Sequence, residues 1–360
     1  MIKSSNVLSR KRALTALGIA AGSALAPSFA TKALGAANGR VVINADGGAY
    51  QDAEQKAIYE PFTRETGIEV VIVPSNATQV LAMVQSGSVQ LDVLDNAEAQ
   101  MLMLDKQGAL APIEYDKFKF TNPADLIPNI RRKNMTGNIY YATVLGYSKK
   151  NFSGNAYPKS WADFWNTTRF SGSRSLESAN AGLVPLEFAL LADGVPLDKI
   201  YPIDLDRAFN VLAKLRSHVS KWWTTGAESI ELLESGEVSA VGLWNGRIQG
   251  PIDQGAAYGI TWNGAMRLKQ FWGVIKNAPN PQNAQKFVDF ALQPHVQANL
   301  AKYIPYGPTN KKAIPFIAKT DLEKLPSAPA HYGAGFDEDA QWWTDHLQEV
   351  VLRWQKWLVS

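Results

Sequence analysis

Residues 40–50 read RVVINADGGAY, and this stretch decides the fold because an apolar strand runs straight into a glycine-containing turn and a helix. Strand and helix patterns then alternate with short turns between them. The predicted strands are 40–44, 69–74 and 91–94, and the predicted helices that follow them are 51–65, 77–85 and 97–107. This order predicts an α/β fold, with a parallel sheet covered by helices on both faces.

The same alternation continues through the rest of the chain. A strand over 139–147 leads into a second α/β region that extends to about residue 260, and a long amphipathic helix is predicted over 338–358. Ligands of such sheets bind beyond the carboxyl ends of the strands. In the first region those ends are 45–50, 75–76 and 95–98.

Length and composition narrow the class of protein. The 360 residues (39.4 kDa) are enough for two lobes, and 46% hydrophobic with 19% charged residues is typical of a globular chain. These values exclude a disordered chain and a multi-span membrane protein. The net charge is +3, but residues 1–30 contain four basic residues and no acid, so the remainder carries −1. A nucleic-acid-binding surface is therefore not supported.

The amino-terminal segment has the pattern of a signal peptide, predicted as residues 1–30. A basic start precedes an apolar run over 13–26, which is shorter than the ~20 residues that span a bilayer. Small residues at Ser28 and Ala30 predict cleavage there, with a second site as late as residue 37. Arg10-Lys11-Arg12 leaves the route open between the general secretory and twin-arginine pathways. The absence of cysteine fits a bacterial periplasm and excludes disulfides and thiol catalysis.

Four motifs, in this order, resemble those of periplasmic solute-binding proteins of the polyamine (spermidine/putrescine) type. They are Trp161-Ala162-Asp163-Phe164-Trp165, Gly236-Glu237-Val238 leading into Leu243-Trp244-Asn245-Gly246, Ala284–Leu292 with Pro294, and Tyr306-Gly307-Pro308-Thr309-Asn310. The resemblance covers nearly the whole chain after the leader. It is specific for the fold and general role, and less so for the ligand.

The resemblance implies a two-lobed periplasmic-binding-protein fold of type II, with a ligand cleft between lobes joined by hinge strands. Carried onto this chain, it assigns 37–146 plus 272–315 to lobe 1 and 147–271 plus 316–360 to lobe 2. The implied function is capture of a small solute by hinge closure and its delivery to the permease of an ABC importer at the inner membrane. A monomer is expected.

The resemblance also indicates aromatic residues of the cleft, which enclose the carbon chain of a ligand and attract its ammonium groups. Trp244 and Tyr306 match aromatic positions of two family motifs. Tyr50 follows the first strand, where a cleft aromatic is expected. Of the pair Trp222-Trp223, the second is predicted to stack on the ligand and the first to pack in the core.

Three departures from the family pattern disfavour a simple polyamine. Gln270 aligns with an aspartate that polyamine binders use, and Leu268 replaces a ligand-stacking tryptophan. The acidic pair expected near 181–192 is also absent. Without carboxylates, desolvation of a diammonium ion costs several kcal/mol per charge.

Other residues favour an anionic group on the ligand. Arg247 follows the Trp-Asn-Gly motif directly, and a guanidinium binds a carboxylate through two parallel hydrogen bonds. Gly47 and Gly48 form a strand-to-helix turn whose backbone N–H groups favour an anion. Asp46 and Glu98, at strand ends, are the candidate ammonium partners.

These residues predict a carboxylate-bearing amine such as 4-aminobutyrate, with Gln270 and Arg247 expected on the second-lobe side. The alternative interpretations are an interlobe salt bridge for Arg247, a plain turn for the glycines and helix caps for the acids.

Enzymatic motifs are lacking. The four histidines do not have the spacing of a metal site, and neither a nucleophile elbow nor a phosphate-binding loop occurs. The sequence therefore predicts a binding protein without catalytic residues, metal or cofactor. The alternatives are a sugar-binding protein of the same class and a secreted hydrolase or lyase that uses Glu98 or Glu187.

Overall fold

Alternating strands and helices build the molecule, as the sequence predicts. The computed structural model describes residues 39–44, 47–152 and 154–360. The strands in these ranges are β1 (Arg40–Asn44), β2 (Glu69–Val73), β3 (Val93–Ala97), β4 (Thr136–Ser148), β5 (Arg174–Glu177), β6 (Val219–Trp223), β7 (Ala240–Trp244), β8 (Tyr258–Val274), β9 (Gly307–Pro308) and β10 (Phe336–Asp337). The signal peptide predicted over 1–30 lies outside the described residues.

The helices lie between these strands. They are α1 (Gly48–Glu54), α2 (Glu60–Thr66), α3 (Ala77–Ser86), α4 (Glu98–Lys106), α5 (Trp161–Trp165), α6 (Leu186–Ala192), α7 (Leu205–Leu215), α8 (Gly226–Glu234), α9 (Asn245–Asp253), α10 (Pro281–Ala291), α11 (Pro294–Tyr303), α12 (Lys319–Leu322), α13 (Pro329–Tyr332) and α14 (Ala340–Val359). A π-helical segment, Gln55–Tyr59, joins α1 to α2.

The described strands form one hydrogen-bonded network with the order β2-β1-β3-β8-β4-β7-β5-β6. Parallel pairs occupy both ends of this order: β1 lies between β2 and β3, and β5 lies between β6 and β7. The long strands β4 and β8 are antiparallel to each other and connect the two parallel regions. The α/β class predicted from the sequence is confirmed.

Apolar clusters pack against the sheet, and the largest extends into both parallel regions. The largest one contains Phe62, which packs edge-on against Phe287 and Phe290 at ring-centroid distances of 5.3 and 5.4 Å. A second cluster under β7 and α9 contains Trp223, Leu243 and Ile248. Each such side chain contributes about 1.5–3 kcal/mol through burial, so both regions position the strand ends rigidly.

The C-terminal helix α14 contacts elements of both regions. Near its start, the Thr344 hydroxyl donates to the Ala99 carbonyl of α4 over 3.1 Å. Further along, Trp354 packs edge-on against Trp222 of β6, with ring centroids 4.9 Å apart. The core position predicted for Trp222 agrees with this packing.

Among the residues that the structure describes, no helix has the length and apolar character that a membrane span requires.

Candidate functional site

A cavity of about 300 Å³ opens at the carboxyl ends of strands from both parallel regions. This is the position at which an α/β sheet binds its ligands. Its lining residues are Tyr50, Asn76, Asn96, Ala97, Gln100, Tyr141, Glu177, Asn180, Ala181, Gly182, Leu183, Thr224, Thr225, Gly226, Trp244, Arg247, Leu268, Gln270 and Tyr306. Five sequence-predicted site residues are brought together here: Tyr50, Trp244, Arg247, Gln270 and Tyr306.

Aromatic rings form a continuous wall of the cavity. Tyr306 lies 5.5 Å from Tyr50 and 5.7 Å from Tyr141, and Tyr141 is edge-on to Trp244 at 5.8 Å, all between ring centroids. Such a wall buries methylene groups and attracts cations. Tyr141 is missed by the sequence reasoning, which assigns it only to the connecting strand.

The Trp-Asn-Gly motif explains why Trp244 and Tyr306 meet. The Asn245 side chain accepts from the Ala142 backbone and donates to the Pro305 carbonyl, so it ties the end of β7 to β4 and to the segment before Tyr306. A Cβ on Gly246 would lie 2.6 Å from the Tyr306 ring, so only glycine fits there.

Arg247 is the cation of this wall. It lies in the first turn of α9, is 97% buried, and its guanidinium is 5.8 Å from the Trp244 ring. Its Nη1 donates to the Gly47 carbonyl over 3.2 Å, while Nε has no hydrogen-bond partner among the described residues. No described acid forms an ion pair with it, so the interlobe salt bridge considered from the sequence is not seen in the described ranges.

Gly47 and Gly48 contribute to this arrangement differently from the predicted anion-binding turn. The Gly47 N–H donates to the Gln51 side chain over 3.1 Å, so it already has a partner. A Cβ on Gly48 would lie 2.7 Å from the Arg247 Nη1, and its φ of +57° also favours glycine. The turn makes room for the guanidinium, and neither glycine lines the cavity.

Gln270 is fixed from behind the cavity wall. Its Nε2 donates to Asp95 over 2.9 Å, and the Tyr50 hydroxyl donates to the same carboxylate oxygen over 2.7 Å. The sequence predicts Gln270 on the second-lobe side, whereas its strand register pairs it with Ala97 of β3, beside Asp95.

Glu177, at the end of β5, lines the cavity and is absent from the sequence-predicted set. It is 95% buried, and burial raises the pKa of its carboxyl to about 8; a backbone hydrogen bond from Leu183 opposes this shift and the nearby Glu187 adds to it. The sequence reasoning noted missing acids near 181–192 and passed over this one. Its signal was available: an acid that ends a strand of a sheet with ligands at that edge.

Two predicted residues do not reach the cavity. Trp223 is fully buried, donates its indole N–H to the Gly242 carbonyl over 2.7 Å, and packs edge-on behind Trp244. Glu98 points toward another crevice, where its carboxylate is paired with Arg132 and, over 3.0 Å, with Lys269. Asp46, the other predicted ammonium partner, lies outside the described residues.

Uncharged polar side chains complete the rim, and sequence reasoning missed them because asparagine, glutamine and threonine are common on any surface. Gln100 of α4 donates over 3.2 Å to the Gly182 carbonyl across the cavity. The others are Asn76, Asn96, Asn180, Thr224 and Thr225.

The sequence matches a family model described as bacterial extracellular solute-binding protein over residues 57–330. The chain belongs to this family. A gamma-aminobutyric acid-binding protein of Pseudomonas aeruginosa is 34% identical over 318 residues, which cover 86% of this chain and 88% of that relative. A spermidine/putrescine-binding periplasmic protein of Escherichia coli is 27% identical over 266 residues, 71% of this chain and 74% of that protein. The resemblance to polyamine-type binding proteins is therefore confirmed.

Solved structures agree with this assignment. The binding protein AgtB of A. tumefaciens R10, solved in complex with agropinic acid, superposes with a TM-score of 0.82 at 31% identity, covering 90% of this chain and 99% of that one. The two-lobed fold predicted from the sequence is that of these relatives. The protein is a solute-binding protein of the ABC-transporter class, and the names of these relatives describe binding of small solutes.

Proposed function

We propose that this family member captures a carboxylate-bearing amine, similar to 4-aminobutyrate, in the periplasm, and that Arg247 binds the carboxylate. The observation that carries the proposal is the buried guanidinium of Arg247, which lines the cavity with one hydrogen bond to described residues and no ion pair within them. A buried charge without a counter-charge is costly, so a ligand carboxylate is the natural partner.

A second buried arginine offers an internal comparison. Arg174 is fully buried, and its nitrogens donate to the carbonyls of Phe164, Phe170 and Gly172. An arginine with a purely structural role is thus saturated by backbone acceptors. Arg247 has donors left over, and they belong to a residue of the cavity wall.

The rest of the cavity supports a ligand with a short carbon chain. The aromatic wall suits methylene groups, and the described lining contains one carboxylate, Glu177, where a diamine would need two. Gln270 provides an amide where the polyamine-type relatives are expected to have an acid. The name of the Pseudomonas relative points to the same ligand class.

Closure of the lobes is the proposed mechanism, with no catalytic step. The hydrogen bonds that join residue ranges assigned to different lobes include those of Arg247 with Gly47 and of Gln100 with Gly182. A ligand that adds contacts on both sides of the cavity stabilises this arrangement. The closed protein then presents a surface of both lobes to an ABC permease.

We also propose that residues 1–30 direct export and that the mature protein acts as a monomer. The leader pattern and the periplasmic relatives support the location.

The first test is a ligand panel on the mature protein. The solutes are 4-aminobutyrate, 5-aminopentanoate, glutamate, butyrate, putrescine, spermidine and glucose, and the measurements are the shift in Tm and calorimetric Kd. A ligand at 100 times Kd adds about 2.7 kcal/mol to the unfolding free energy. We expect this stabilisation with the amino acids of the panel and not with glucose or the polyamines.

Arg247→Ala should weaken the best carboxylate ligand by about 2–4 kcal/mol because a buried charge-assisted contact is lost. Arg247→Lys retains the charge and loses the two-pronged geometry, so it should fall between Arg247→Ala and the unchanged protein. Arg64→Ala, at an exposed arginine of α2, is the control and should leave Kd unchanged. Unaltered affinity in Arg247→Ala would remove this residue from the site.

A further inference from the structure

Glu177 is a buried acid without a cation beside it. It ends β5, is 95% buried and lines the cavity. Within the described residues no lysine, arginine or histidine forms an ion pair with it. Its neighbours are the Leu183 backbone, which donates a hydrogen bond, and the buried carboxyl of Glu187 on α6. Both the burial and the second acid disfavour the ionised form.

Glu177 is the acidic and Arg247 the basic side chain of the described cavity lining. They come from neighbouring parallel strands: β5 ends at Glu177, and β7 ends three residues before Arg247. Trp244 is the last residue of β7, and its ring packs against the Arg247 guanidinium. One carboxyl and one guanidinium, unpaired with each other within the described residues, thus line the same cavity.

The other acids near the cavity have their own partners. Glu98 is paired with Arg132 and Lys269. Asp95 accepts from Tyr50 and Gln270 and lies behind the wall. These contacts leave Glu177 as the described carboxyl best placed for an ammonium group.

We propose that Glu177 binds the ammonium group of the solute, so that the protein selects a zwitterion by reading both of its charges. This inference rests on the proposed function, in which Arg247 binds the carboxylate, and it adds the residue that distinguishes an amino acid from a simple carboxylic acid. No motif of the sequence assigns such a role to Glu177.

Binding to Glu177 is coupled to a proton. Burial raises the pKa of this carboxyl to about 8, so below that pH it carries a proton. When the ammonium group arrives, the carboxyl ionises and its proton passes to the solvent, which leaves an ammonium–carboxylate pair. The charged groups of an amino-acid ligand titrate outside pH 5.5–8.5.

The experiment measures Kd by calorimetry from pH 5.5 to 8.5 for the amino acid of the panel that binds tightest. For the unchanged protein, Kd should fall by up to about tenfold per pH unit toward pH 8, with up to one proton released per ligand. In Glu177→Gln the pH dependence should disappear and Kd at pH 8.5 should rise about 30-fold or more. Two buffers of different ionisation enthalpy measure the released proton.

Three variants serve as controls. Glu338→Gln removes another buried carboxyl, which lines a different crevice but belongs to the same group of mutually repelling acids as Glu177 and Glu187; the pH dependence should persist, and Kd should stay within threefold. Asp46→Asn tests the acid that the sequence analysis favours. Glu177→Asp keeps a carboxyl, so it should bind more weakly but retain the proton release, and it replaces the glutamine variant if that variant fails to fold.

The outcomes separate this inference from the proposed function. If no carboxylate of the panel binds, the proposed function fails. If butyrate binds as tightly as 4-aminobutyrate, Arg247 keeps its role and the role of Glu177 is refuted. The role of Glu177 is also refuted if Glu177→Gln retains affinity and proton release, or if the unchanged protein releases no proton. It is refuted as well if Asp46→Asn alone abolishes the pH dependence.

Discussion

The carboxylate of Asp95 favours hydrogen-bond donors at the positions that contact it. Its carboxylate accepts hydrogen bonds from the Tyr50 hydroxyl at 2.7 Å, the Gln270 amide at 2.9 Å and the Asn138 amide at 3.3 Å. All three are donors that lie behind or within the aromatic wall. A carboxylate at position 270 would face Asp95 without a donor between them.

We therefore predict that Gln270→Glu destabilises the protein by about 1–3 kcal/mol at pH 8, since a buried hydrogen bond becomes a repulsion. The loss should shrink at pH 5, where protonation of one carboxyl restores a donor. Urea unfolding at both pH values measures it. Gln79→Glu, at the third position of α3 where glutamate caps equally well, is the matched control and should change stability by less than about 0.5 kcal/mol. A neutral Gln270→Glu at pH 8 would contradict this view of the wall.

The sequence predicts individual site residues where a motif or a strand end marks them. Trp244, Arg247 and Tyr306 follow recognisable patterns, and all three line the cavity. Trp223 also ends a strand but does not line the cavity. The position of a side chain at a strand end depends on the neighbouring strand, and here Trp244 covers Trp223. Glu177 is absent from the predicted set because the sequence analysis does not predict the short strand β5, so this acid is not recognised as the end of a strand.

At the scale of elements, Arg174 joins α5 and the following loop to β5. The guanidinium donates to the carbonyls of Phe164, Phe170 and Gly172, and burial lowers its pKa to about 10. Lysine cannot reach three separate carbonyls with planar geometry.

Arg174→Lys should therefore lower the unfolding free energy by about 2–4 kcal/mol, because buried carbonyls lose their donors. Arg169→Lys, at an exposed arginine of the same loop, should stay within about 0.5 kcal/mol. Denaturant unfolding of the two variants provides the comparison. Equal stabilities would mean that the loop is fixed by its aromatic contacts alone.

Element prediction succeeds where periodicity is local. The first strand–helix units were placed to within a few residues, since each has its own apolar pattern and stop signal. For β8 the local sequence pattern predicts a strand over 271–275 alone, whereas the strand spans Tyr258–Val274. This strand crosses between two regions, so the burial of its two faces changes along its length. Its first part therefore mixes aromatic, polar and small residues. Such a strand is defined by its pairing with β4 rather than by its own sequence.

At the scale of the whole molecule, buried acids link stability to pH. Burial raises the pKa of Glu177 to about 8 and raises the pKa of Glu187 and of Glu338 as well. The folded state then holds protons that the unfolded chain releases near pH 4.5. The unfolding free energy must consequently fall as pH rises from about 4.5 toward 8. Burial lowers the pKa of His331, which opposes this trend over the lower part of the range.

We predict that, without ligand, the unfolding free energy at pH 5.5 exceeds that at pH 8.5 by about 2–4 kcal/mol, as follows from at least one acid shifted by several pKa units. Urea unfolding at half-unit pH steps measures the slope. The double variant Glu177→Gln, Glu338→Gln removes two of the protons, so its slope should be clearly shallower, whereas His331→Asn should make it steeper. A flat or rising profile in the unchanged protein, or one that the double variant leaves unaltered, would mean that these carboxyls are ionised in the folded state.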